Sequence, residues 1–376
     1  MADACKELFD IDVDPQITPA DPKYADFQTN LPFTIVKSIQ KNPVEISNLI
    51  VQKIENQFSD SFSIFVKGGF INFLLTEQFL TQMVKDIRDD VEAFVSSENS
   101  DLAGQKIQIE FVSANPTGPM NIVSARAAAV GDTLIRLMRQ VGIDAFSEYY
   151  LNDAGNQVQV LKRSFAARIA EAKGQPLELP DDAYHGEYLA DYAKIYIESG
   201  TTEDPLEWII NKLITENRKV LSAFNTNFDN WFSEFHFRKT GAVEKMFERI
   251  PEDDKYENEG AIWFKASKYN PSITDYVLMR SDGAPGYILV DIAYNADKIE
   301  NRGFDKAIMI IGPDHHGHVA RMQAAMEAIG LNDRMEFLIL QQVNLFEGGE
   351  KVMMSKRAGR ILTMDLLVDE VGTDVG

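Results

Sequence analysis

Residues 107–157, IQIEFVSANPTGPMNIVSARAAAVGDTLIRLMRQVGIDAFSEYYLNDAGNQ, contain the pattern that decides the fold. Ile107–Ser113 is rich in β-branched and aromatic residues, which predicts a buried strand. The Pro116–Pro119 turn follows, and apolar residues then recur at helical spacing from Val130 to Val141. A second strand, Ala145–Leu151, completes the unit. A strand, turn, helix and strand in this order open a nucleotide-binding α/β domain, in which a helix N-terminus faces the ligand.

Composition bounds the class of protein. With 376 residues, 45% of them hydrophobic, the chain can bury one large core or several smaller ones. It has no apolar run long enough to span a membrane, and its acidic N-terminus does not resemble a secretory signal. Cys5 is the only cysteine, which excludes a disulfide scaffold and fits a reducing cytoplasm. The net charge of −21 opposes non-specific nucleic-acid binding, although it allows a local basic patch.

The chain divides into a small module and a larger α/β region. Residues 1–98 are predicted to form an α+β module, with a helix that begins at Asn42 and a hairpin that turns at Gly68-Gly69. Residues 106–160 start the nucleotide-type sheet, and residues 160–250 are mostly helical.

Strands return after the helical region. The segments from Ala261 onward that predict strands are AIWFKAS, DYVLMR, GYILVDI, AIMIIG and EFLILQQV, and the segment HVARMQAAMEAIG between the last two predicts a helix. Strand–helix alternation that resumes after a helical insertion predicts one doubly wound sheet, split in sequence. The fold class is therefore α/β.

Six blocks of the chain, in order, resemble class I arginyl-tRNA synthetases. The signature of that family is close to S-A-N-P-T-G-P-L-H-x-G-H-A-R, and this chain has SANPTGPMNIVSAR. The other blocks that carry the resemblance are ADFQTNLPF with VKGGFINFLL, YYLNDAGNQVQVL, RSDGAPGYILVDIAYNADK, IIGPDHHGHVARMQAAM and VMMSKRAGRILTMDLLVDEVG.

The resemblance implies a domain plan. Residues 1–98 correspond to the additional N-terminal module, which contacts the tRNA elbow in the family. Residues 106–376 correspond to the Rossmann-type catalytic domain with its helical insertion at about 160–250. The helical anticodon-binding domain that normally follows is absent from this sequence, which ends at Gly376. Either the protein is naturally short or the sequence is a shortened piece, and of the two we expect a naturally short form.

The resemblance also implies an arginine pocket. A guanidinium needs a carboxylate that can accept from both arms of its planar fork. The matching position is Asp291, with Tyr287 as the aromatic hydroxyl four residues earlier. Without the resemblance, both residues would simply flank a buried strand. The remaining pocket positions, which hold the amino and carboxylate groups of arginine or order the loop, are Glu110, Ser113, Asn115 and Asp314.

The segment Asp314–His318, DHHGH, invites interpretation as a metal site. Neighbouring side chains on a strand-to-helix turn point in different directions, and no second ligand group has the spacing of a zinc site. The family carries a D-H-H-G pattern without a structural metal, so no metal is expected.

The nucleotide site departs from the family pattern. In class I synthetases the two histidines of H-x-G-H donate to the ATP phosphates, and the glycine lets adenine lie against bare backbone. The corresponding positions here are Asn121, Val123 and Ser124. Asn121 and Ser124 can donate hydrogen bonds but cannot carry positive charge. Val123 places a branched side chain where the purine would lie, and overpacking of this kind costs about 1–3 kcal/mol.

The K-M-S-K loop is altered as well. It has Met353, Ser355, Lys356 and Arg357, so the first lysine is lost. Most arginyl enzymes without that lysine carry a compensating lysine just before H-x-G-H, where this chain has Gly118. Loss of one preorganised donor commonly costs about a hundred- to a thousandfold in rate. Tolerated drift in a working enzyme is the alternative explanation.

Three hypotheses follow from the sequence. The first is an active synthetase that uses ATP with magnesium and charges a tRNA with arginine. The second, which we favour, is a paralogue that binds arginine but has impaired or lost adenylation. The third is a different nucleotidyltransferase on the same fold, because a fold does not decide function. Arginine is the expected partner, tRNA binding is expected to be weak, and no membrane partner is expected.

Overall fold

The computed structural model describes residues 1–91, 93, 103–313, 316–341, 343–347, 350–352 and 363–375. The chain forms two compact units, Met1–Ser97 and Glu98–Gly376. The helices are α1 Ala2–Phe9, α2 Leu31–Ile39, α3 Pro43–Phe58, α4 Glu77–Asp89, α5 Ile122–Gln140, α6 Asn156–Ala172, α7 Glu187–Ser199, α8 Pro205–Ala223, α9 Glu234–Arg238, α10 Ala242–Arg249, α11 Tyr287–Glu300, α12 His316–Ala328 and α13 Met364–Val371. The strands are β1 Thr18–Pro19, β2 Phe27–Thr29, β3 Phe62–Lys67, β4 Phe70–Leu75, β5 Lys106–Glu110, β6 Asp144–Leu151, β7 Asn230–Ser233, β8 Lys255–Asn258, β9 Ala261–Phe264, β10 Tyr276–Met279, β11 Lys306–Ile311, β12 Met335–Ile339, β13 Leu345–Glu347 and β14 Glu350–Val352.

The first unit is a four-stranded antiparallel sheet in the order β1-β2-β4-β3 with helices packed on it. Two predictions are confirmed. The side chain of Asn42 accepts a hydrogen bond from Val44 N and caps α3. The β3–β4 hairpin turns at Gly68 and Gly69, whose φ angles of 62° and 92° are ones that glycine adopts without strain. Ile46, Ile50, Ile54 and Ile71 form the centre of its core.

The second unit is built on a five-stranded parallel sheet in the order β12-β11-β5-β6-β7. β5 and β11 pair side by side, with Ile107 opposite Lys306, although the segments are far apart in sequence. The predicted fold class, a Rossmann-type α/β domain preceded by a small α+β module, is confirmed. β5 is the central strand, and it is covered on both faces, because Ile107 and Ile109 are buried on one face and Gln108 and Glu110 on the other.

Helix α5 approaches the end of β5 very closely. A β-carbon added at Gly131 would lie 2.2 Å from the ring of Phe111, which directly follows the strand. Gly131→Ala is therefore expected to destabilise the fold by about 1–3 kcal/mol through overpacking, measured as a lower urea midpoint with an unchanged slope. Gly317→Ala is the matched control, because that helical position has open space for a β-carbon. Equal midpoints for both variants would contradict the close approach.

One predicted strand is wrong. The segment GYILVDI is not a strand, because Tyr287–Glu300 forms helix α11. Ten of the fourteen residues of this helix are buried, so the segment has no polar face and its helical period is hidden. A short, continuously apolar run does not distinguish a buried helix from a buried strand.

One further expectation is corrected, and one predicted helical span contains an additional strand. β9 and β10 do not join the parallel sheet, but form a separate antiparallel sheet with β8 in the order β10-β9-β8. The span 160–250, predicted to be mostly helical, also contains β7, the edge strand of the parallel sheet. That strand was missed because its sequence, NWFS, has only four residues and lies between helices.

Candidate functional site

The candidate site lies where the strand order of the parallel sheet reverses. β5 and β11 are neighbours, and the chain leaves them toward opposite sides of the sheet order. The carboxyl ends of these two strands lead to the N-termini of α5 and α12. Ligands of open α/β sheets bind in the crevice at this point, because helix N-termini and loop side chains converge there.

The turn after β5 is locked in a strained conformation. Val112 and Ser113 have φ angles of 67° and 39°, which are uncommon for residues other than glycine. Ser113 Oγ donates to Glu110 Oε1 at 3.1 Å and accepts from Tyr150 N at 3.1 Å. Glu110 in turn pairs with the fully buried Lys298, whose Nζ lies 2.7 Å from Glu110 Oε2. The strain is therefore maintained by a buried ion pair and two hydrogen bonds.

Tyr287 and Asp291 lie one turn apart on α11 and therefore share a face of that helix. The Tyr287 side chain is 62% exposed, and its ring stacks at 6.2 Å from the ring of His318. Asp291 is 28% exposed, and its Oδ2 lies 3.5 Å from His318 Nε2. The two predicted residues thus share one face of α11, and both contact His318 near the start of α12.

Asp291 lies in a field of negative charge. Burial, together with the carboxylates of Glu234 and Glu110, raises the pKa of Asp291 to about 8. The cations Arg238 and Lys298 oppose this shift but are engaged elsewhere. Arg238 Nε donates to Glu234 Oε1 at 2.6 Å, and Lys298 pairs with Glu110. Because each of these cations already has a carboxylate, Asp291 has no lysine or arginine partner of its own among the described residues when it ionises.

The sequence did not predict two members of this cluster. Glu234 is buried at the start of α9, where Asp153 holds the turn by accepting from Ser233 Oγ at 2.6 Å and from Phe235 N at 2.8 Å. Tyr150 is buried, and its hydroxyl has no hydrogen-bond partner among the described residues. Burial and the charges of Glu234 and Asp291 raise the pKa of Tyr150. The signal for this region in the sequence was the YYLNDAGNQVQVL block, which contains Tyr150 and Asp153, whereas nothing pointed to Glu234.

A buried polar network supports the sheet beneath the cluster. Glu148 is fully buried and accepts from Tyr294 at 2.6 Å and from both terminal nitrogens of Arg302 at 2.6 and 2.9 Å. Those hydrogen bonds and the charge of Arg302 outweigh burial and keep the pKa of Glu148 below its ordinary value. Glu148 therefore stays ionised and ties β6 to the C-terminal end of α11, the helix that carries Asp291.

Asn115 lies further along the loop after β5. Its Nδ2 donates to Gln157 Oε1 at 2.5 Å, so it joins this loop to the start of α6. Tyr149 OH donates to Ala114 O at 2.7 Å from the same side. The structure thus brings Glu110, Ser113 and Asp291 into one cluster, and it places Asn115 in a neighbouring contact that orders the loop.

The positions that match H-x-G-H form the first turn of α5. Asn121 is the N-cap, and its Oδ1 accepts from Ser124 N at 3.2 Å and lies 3.4 Å from Ser124 Oγ. Ser124 is buried at 9% exposure, whereas Val123 is 39% exposed and points away from the core. The polar atoms of Asn121 and Ser124 are thus partly used on each other, and an apolar branched side chain occupies the exposed surface of the turn.

The chain returns to this turn after the K-M-S-K block. Thr363 forms an isolated antiparallel bridge with Asn121, and Met364 N donates to Met120 O at 2.9 Å. Met364 is fully buried, which anchors α13 beside α5. Five predicted site residues lie outside the described residues and their positions stay predictions: Asp314, Met353, Ser355, Lys356 and Arg357.

The described ranges contain no candidate metal cluster and no candidate membrane-spanning helix. No group of three or more His, Cys, Asp or Glu side chains within them is arranged to hold a metal ion. No helix in the same part of the chain is long and apolar enough to cross a bilayer. Asp314 and His315 of the DHHGH segment lie outside those ranges.

The fold and the site define a class I aminoacyl-tRNA synthetase catalytic domain. Residues 90–374 match the family described as the class I (R) tRNA synthetase catalytic domain, and residues 1–75 match the arginyl-tRNA synthetase N-terminal domain. The chain belongs to the arginyl-tRNA synthetase family.

Individual relatives agree with this assignment. Arginine–tRNA ligase 1 of Halalkalibacterium halodurans is 38% identical over 95% of the chain, and the ligase of Heliobacterium modesticaldum is 37% identical over 95%. The chain spans 66% and 65% of the lengths of these two relatives. A Campylobacter jejuni structure assigned as an arginyl-tRNA synthetase superposes with a TM-score of 0.71 at 34% identity, covering 80% of this chain and 67% of its own. The Thermus thermophilus enzyme, at 18% identity and a TM-score of 0.69, shares the fold over 98% of this chain and 68% of its own.

Proposed function

We propose that this protein binds arginine in the crevice beside α11, with Asp291 and Tyr287 as the guanidinium partners. The observation that carries the proposal is the position of Asp291, which lies one turn from Tyr287 on α11 and makes no ion pair with a lysine or arginine of the described residues. Burial and the carboxylates of Glu234 and Glu110 raise the pKa of Asp291 to about 8, so a bound cation would favour its ionised form. A guanidinium supplies a delocalised positive charge that stays ionised and forms two parallel hydrogen bonds with a carboxylate.

We further propose that adenylation is impaired or lost. ATP with magnesium is the cofactor that an active relative would use, and the residues at the first turn of α5 fit it poorly. Neither Asn121 nor Ser124 can become a cation, and the two side chains already hydrogen-bond with each other. Val123 supplies a branched side chain at an exposed position where a glycine would leave bare backbone.

Calorimetry with arginine and lysine tests the arginine proposal. Arginine is expected to bind, and lysine is expected to bind at least about a hundredfold more weakly, because its point charge cannot use the fork geometry. Lysine is also the control for simple charge attraction, since both side chains carry one positive charge. Equal affinities would show that the crevice attracts cations without recognising a guanidinium.

ATP–pyrophosphate exchange with arginine distinguishes a binding protein from a working ligase. Relatives usually need bound tRNA for this step, so the assay is run with and without tRNA. We expect exchange at a small fraction of the rate of a full-length bacterial relative measured in parallel. Exchange as fast as that of the relative would favour the alternative hypothesis, an active arginine–tRNA ligase.

Transfer RNA binding is expected to be weak, because a net charge of −21 opposes approach of a polyanion. We propose that any remaining affinity comes from residues 1–98 and falls steeply with salt. Deletion of this module should then remove it, as measured by filter binding of labelled tRNA. Nanomolar binding that survives the deletion would contradict this prediction.

A further inference from the structure

Tyr150 lies between the strained turn after β5 and the face of α11 that carries Asp291. Its backbone N donates to Ser113 Oγ at 3.1 Å, which ties Tyr150 to that turn. Its side chain points to the α11 side of β6, because the centre of its ring lies 4.6 Å from that of Tyr294. Tyr294 is three residues after Asp291 and is therefore its neighbour on the helix surface. The ring of Tyr150 is thus next to the helix turn that carries the proposed guanidinium partner.

The hydroxyl of Tyr150 is buried without a partner in the described part of the chain. The residue is 9% exposed, and no side chain or backbone group of the described residues forms a hydrogen bond with its oxygen. The rings of Phe232 and Tyr294 flank its own ring, with centres at 5.9 and 4.6 Å. Nearly all buried polar atoms in folded proteins have a hydrogen-bond partner, because leaving one unsatisfied costs free energy. An orphaned hydroxyl at this place therefore points to a ligand.

Three carboxylates lie around this hydroxyl. Burial and the charges of Glu234, Asp291 and Glu110 raise the pKa of Tyr150, so the phenol keeps its proton at neutral pH. Glu234 is near enough to act on that pKa as an acceptor, but its contact with the hydroxyl does not have the geometry of a hydrogen bond. A neutral phenol can direct its proton at a carboxylate and still accept at its oxygen. The oxygen is thus available to an N–H donor.

The ligand proposed for this site brings more donors than Asp291 accepts. A guanidinium has five N–H groups in one plane, and a carboxylate in the fork geometry accepts two of them. Donors that face the solvent can be satisfied by water, whereas a donor that faces the buried side needs an acceptor from the protein. The oxygen of Tyr150 is an acceptor on that buried side.

We propose that Tyr150 is a specificity-determining residue of this site, and that its oxygen accepts a terminal N–H of a guanidinium bound at Asp291. This role rests on the proposed function, because it presumes arginine in the crevice, and it adds that the guanidinium must be unmethylated. A methyl group on the nitrogen that faces Tyr150 removes an N–H and presses carbon against the phenol oxygen. A site built to hydrogen-bond a group rejects an analogue that lacks it, because the buried partner is left unpaired.

Tyr150→Phe in the full chain tests this role, because phenylalanine keeps the ring and removes only the oxygen. Calorimetry is expected to show arginine affinity at least about tenfold lower, as for the loss of a hydrogen bond to a charged group. Urea unfolding without arginine is expected to show an equal or higher midpoint, because a buried hydroxyl without a partner is removed. A residue that only supports the fold would lose affinity and stability together.

Symmetric dimethylarginine, which carries one methyl group on each terminal nitrogen, measures the proposed selectivity. Both terminal nitrogens are modified, so turning the guanidinium over does not avoid the clash with Tyr150. The parent is expected to prefer arginine by at least about tenfold. In Tyr150→Phe that preference is expected to fall at least about fivefold, because the missing oxygen leaves room for a methyl group and no longer rewards an N–H. Contacts of the second methyl group are the same in both proteins and cancel in the comparison.

Tyr276→Phe is the matched control. Tyr276 is buried as well, but its hydroxyl donates to Arg321 O at 3.0 Å. Its removal is therefore expected to lower the urea midpoint and to leave the preference for arginine over dimethylarginine unchanged.

Asp291→Ala distinguishes a wrong role for Tyr150 from a wrong arginine site. If Asp291→Ala abolishes arginine binding while Tyr150→Phe keeps the affinity and the preference of the parent, the role of Tyr150 is wrong and the arginine site stands. A urea midpoint that falls in Tyr150→Phe as far as in Tyr276→Phe, with an unchanged preference, would also overturn the role. Absence of arginine binding by the parent would overturn both proposals.

Discussion

Arginine affinity is expected to rise about tenfold per pH unit between pH 6 and 7 and to level off above pH 8, since one proton must leave the site. The pKa of Asp291 is raised to about 8, so below that pH most molecules hold Asp291 protonated and uncharged. Guanidinium binding favours the ionised form and releases the proton. Calorimetry in two buffers with different ionisation enthalpies measures that release directly.

The other charged groups around Asp291 do not reverse the expected rise of arginine affinity with pH. Glu234 and Glu110 pair with Arg238 and Lys298, so these four charges are matched. A protonated His318, whose Nε2 lies 3.5 Å from Asp291 Oδ2, would repel a guanidinium, so protonation of that ring acts in the same direction. Affinity that is flat between pH 6 and 8 would exclude Asp291 as the charged partner.

Substitutions of Asp291 are expected to change arginine affinity and folding stability in opposite directions. Asp291→Ala should abolish arginine binding, because the guanidinium would lose its charged partner in a buried site. Asp291→Asn keeps the shape, should also lose binding, and should remove the pH dependence of any residual affinity. A carboxyl whose folded pKa is raised costs stability as the pH rises above its ordinary value, so both variants should be more stable than the parent at pH 8, by about 0.5–2 kcal/mol. Unchanged arginine affinity in Asp291→Ala would show that the pocket has been placed wrongly.

Nucleotide binding is expected to recover when the first turn of α5 is reverted to the family pattern. Val123→Gly alone should raise the affinity for a non-hydrolysable ATP analogue most, by about five- to a hundredfold, which corresponds to the roughly 1–3 kcal/mol of overpacking that it removes. The position is 39% exposed, so the change opens the surface without leaving a cavity in the core. Val123→Ala is the matched control and should gain less, because it keeps a β-carbon.

The remaining reversions are expected to add affinity at a cost in stability. Asn121→His removes the cap of α5, a loss of about 0.5–2 kcal/mol. Ser124→His enlarges a side chain that is only 9% exposed. The variant that combines these changes with Val123→Gly and Met353→Lys should therefore bind the analogue best and melt at the lowest temperature. Ordered adenine at residue 123 in a crystal of the unmodified protein, soaked with the analogue and arginine, would contradict the nucleotide predictions.

Residue types and local periods predicted much of the fold. The alternation of buried strands and amphipathic helices around Ile107–Leu151 indicated a parallel sheet, and β5 and β11 do pair within it. Asn42 before a helix and Gly68-Gly69 between two apolar runs identified local structures, because caps and tight turns depend on a few adjacent residues. The resemblance to the family then predicted that Asp291 and Tyr287 line a pocket, which stays a prediction.

Tertiary structure alone decided the features that depend on distant contacts. Extensive burial hides the helical period of GYILVDI, and only the folded structure shows it as a helix, with Tyr287 and Asp291 one turn apart on the same face. Glu234, which lies 57 residues before Asp291 in the chain, meets it only because β7 returns to the sheet. The raised pKa of Asp291 and the position of β7 at the end of the sheet order both follow from how the folded chain brings distant segments together. Charge and hydrogen bonding in a folded chain depend on which groups burial brings together, and a linear pattern does not record that.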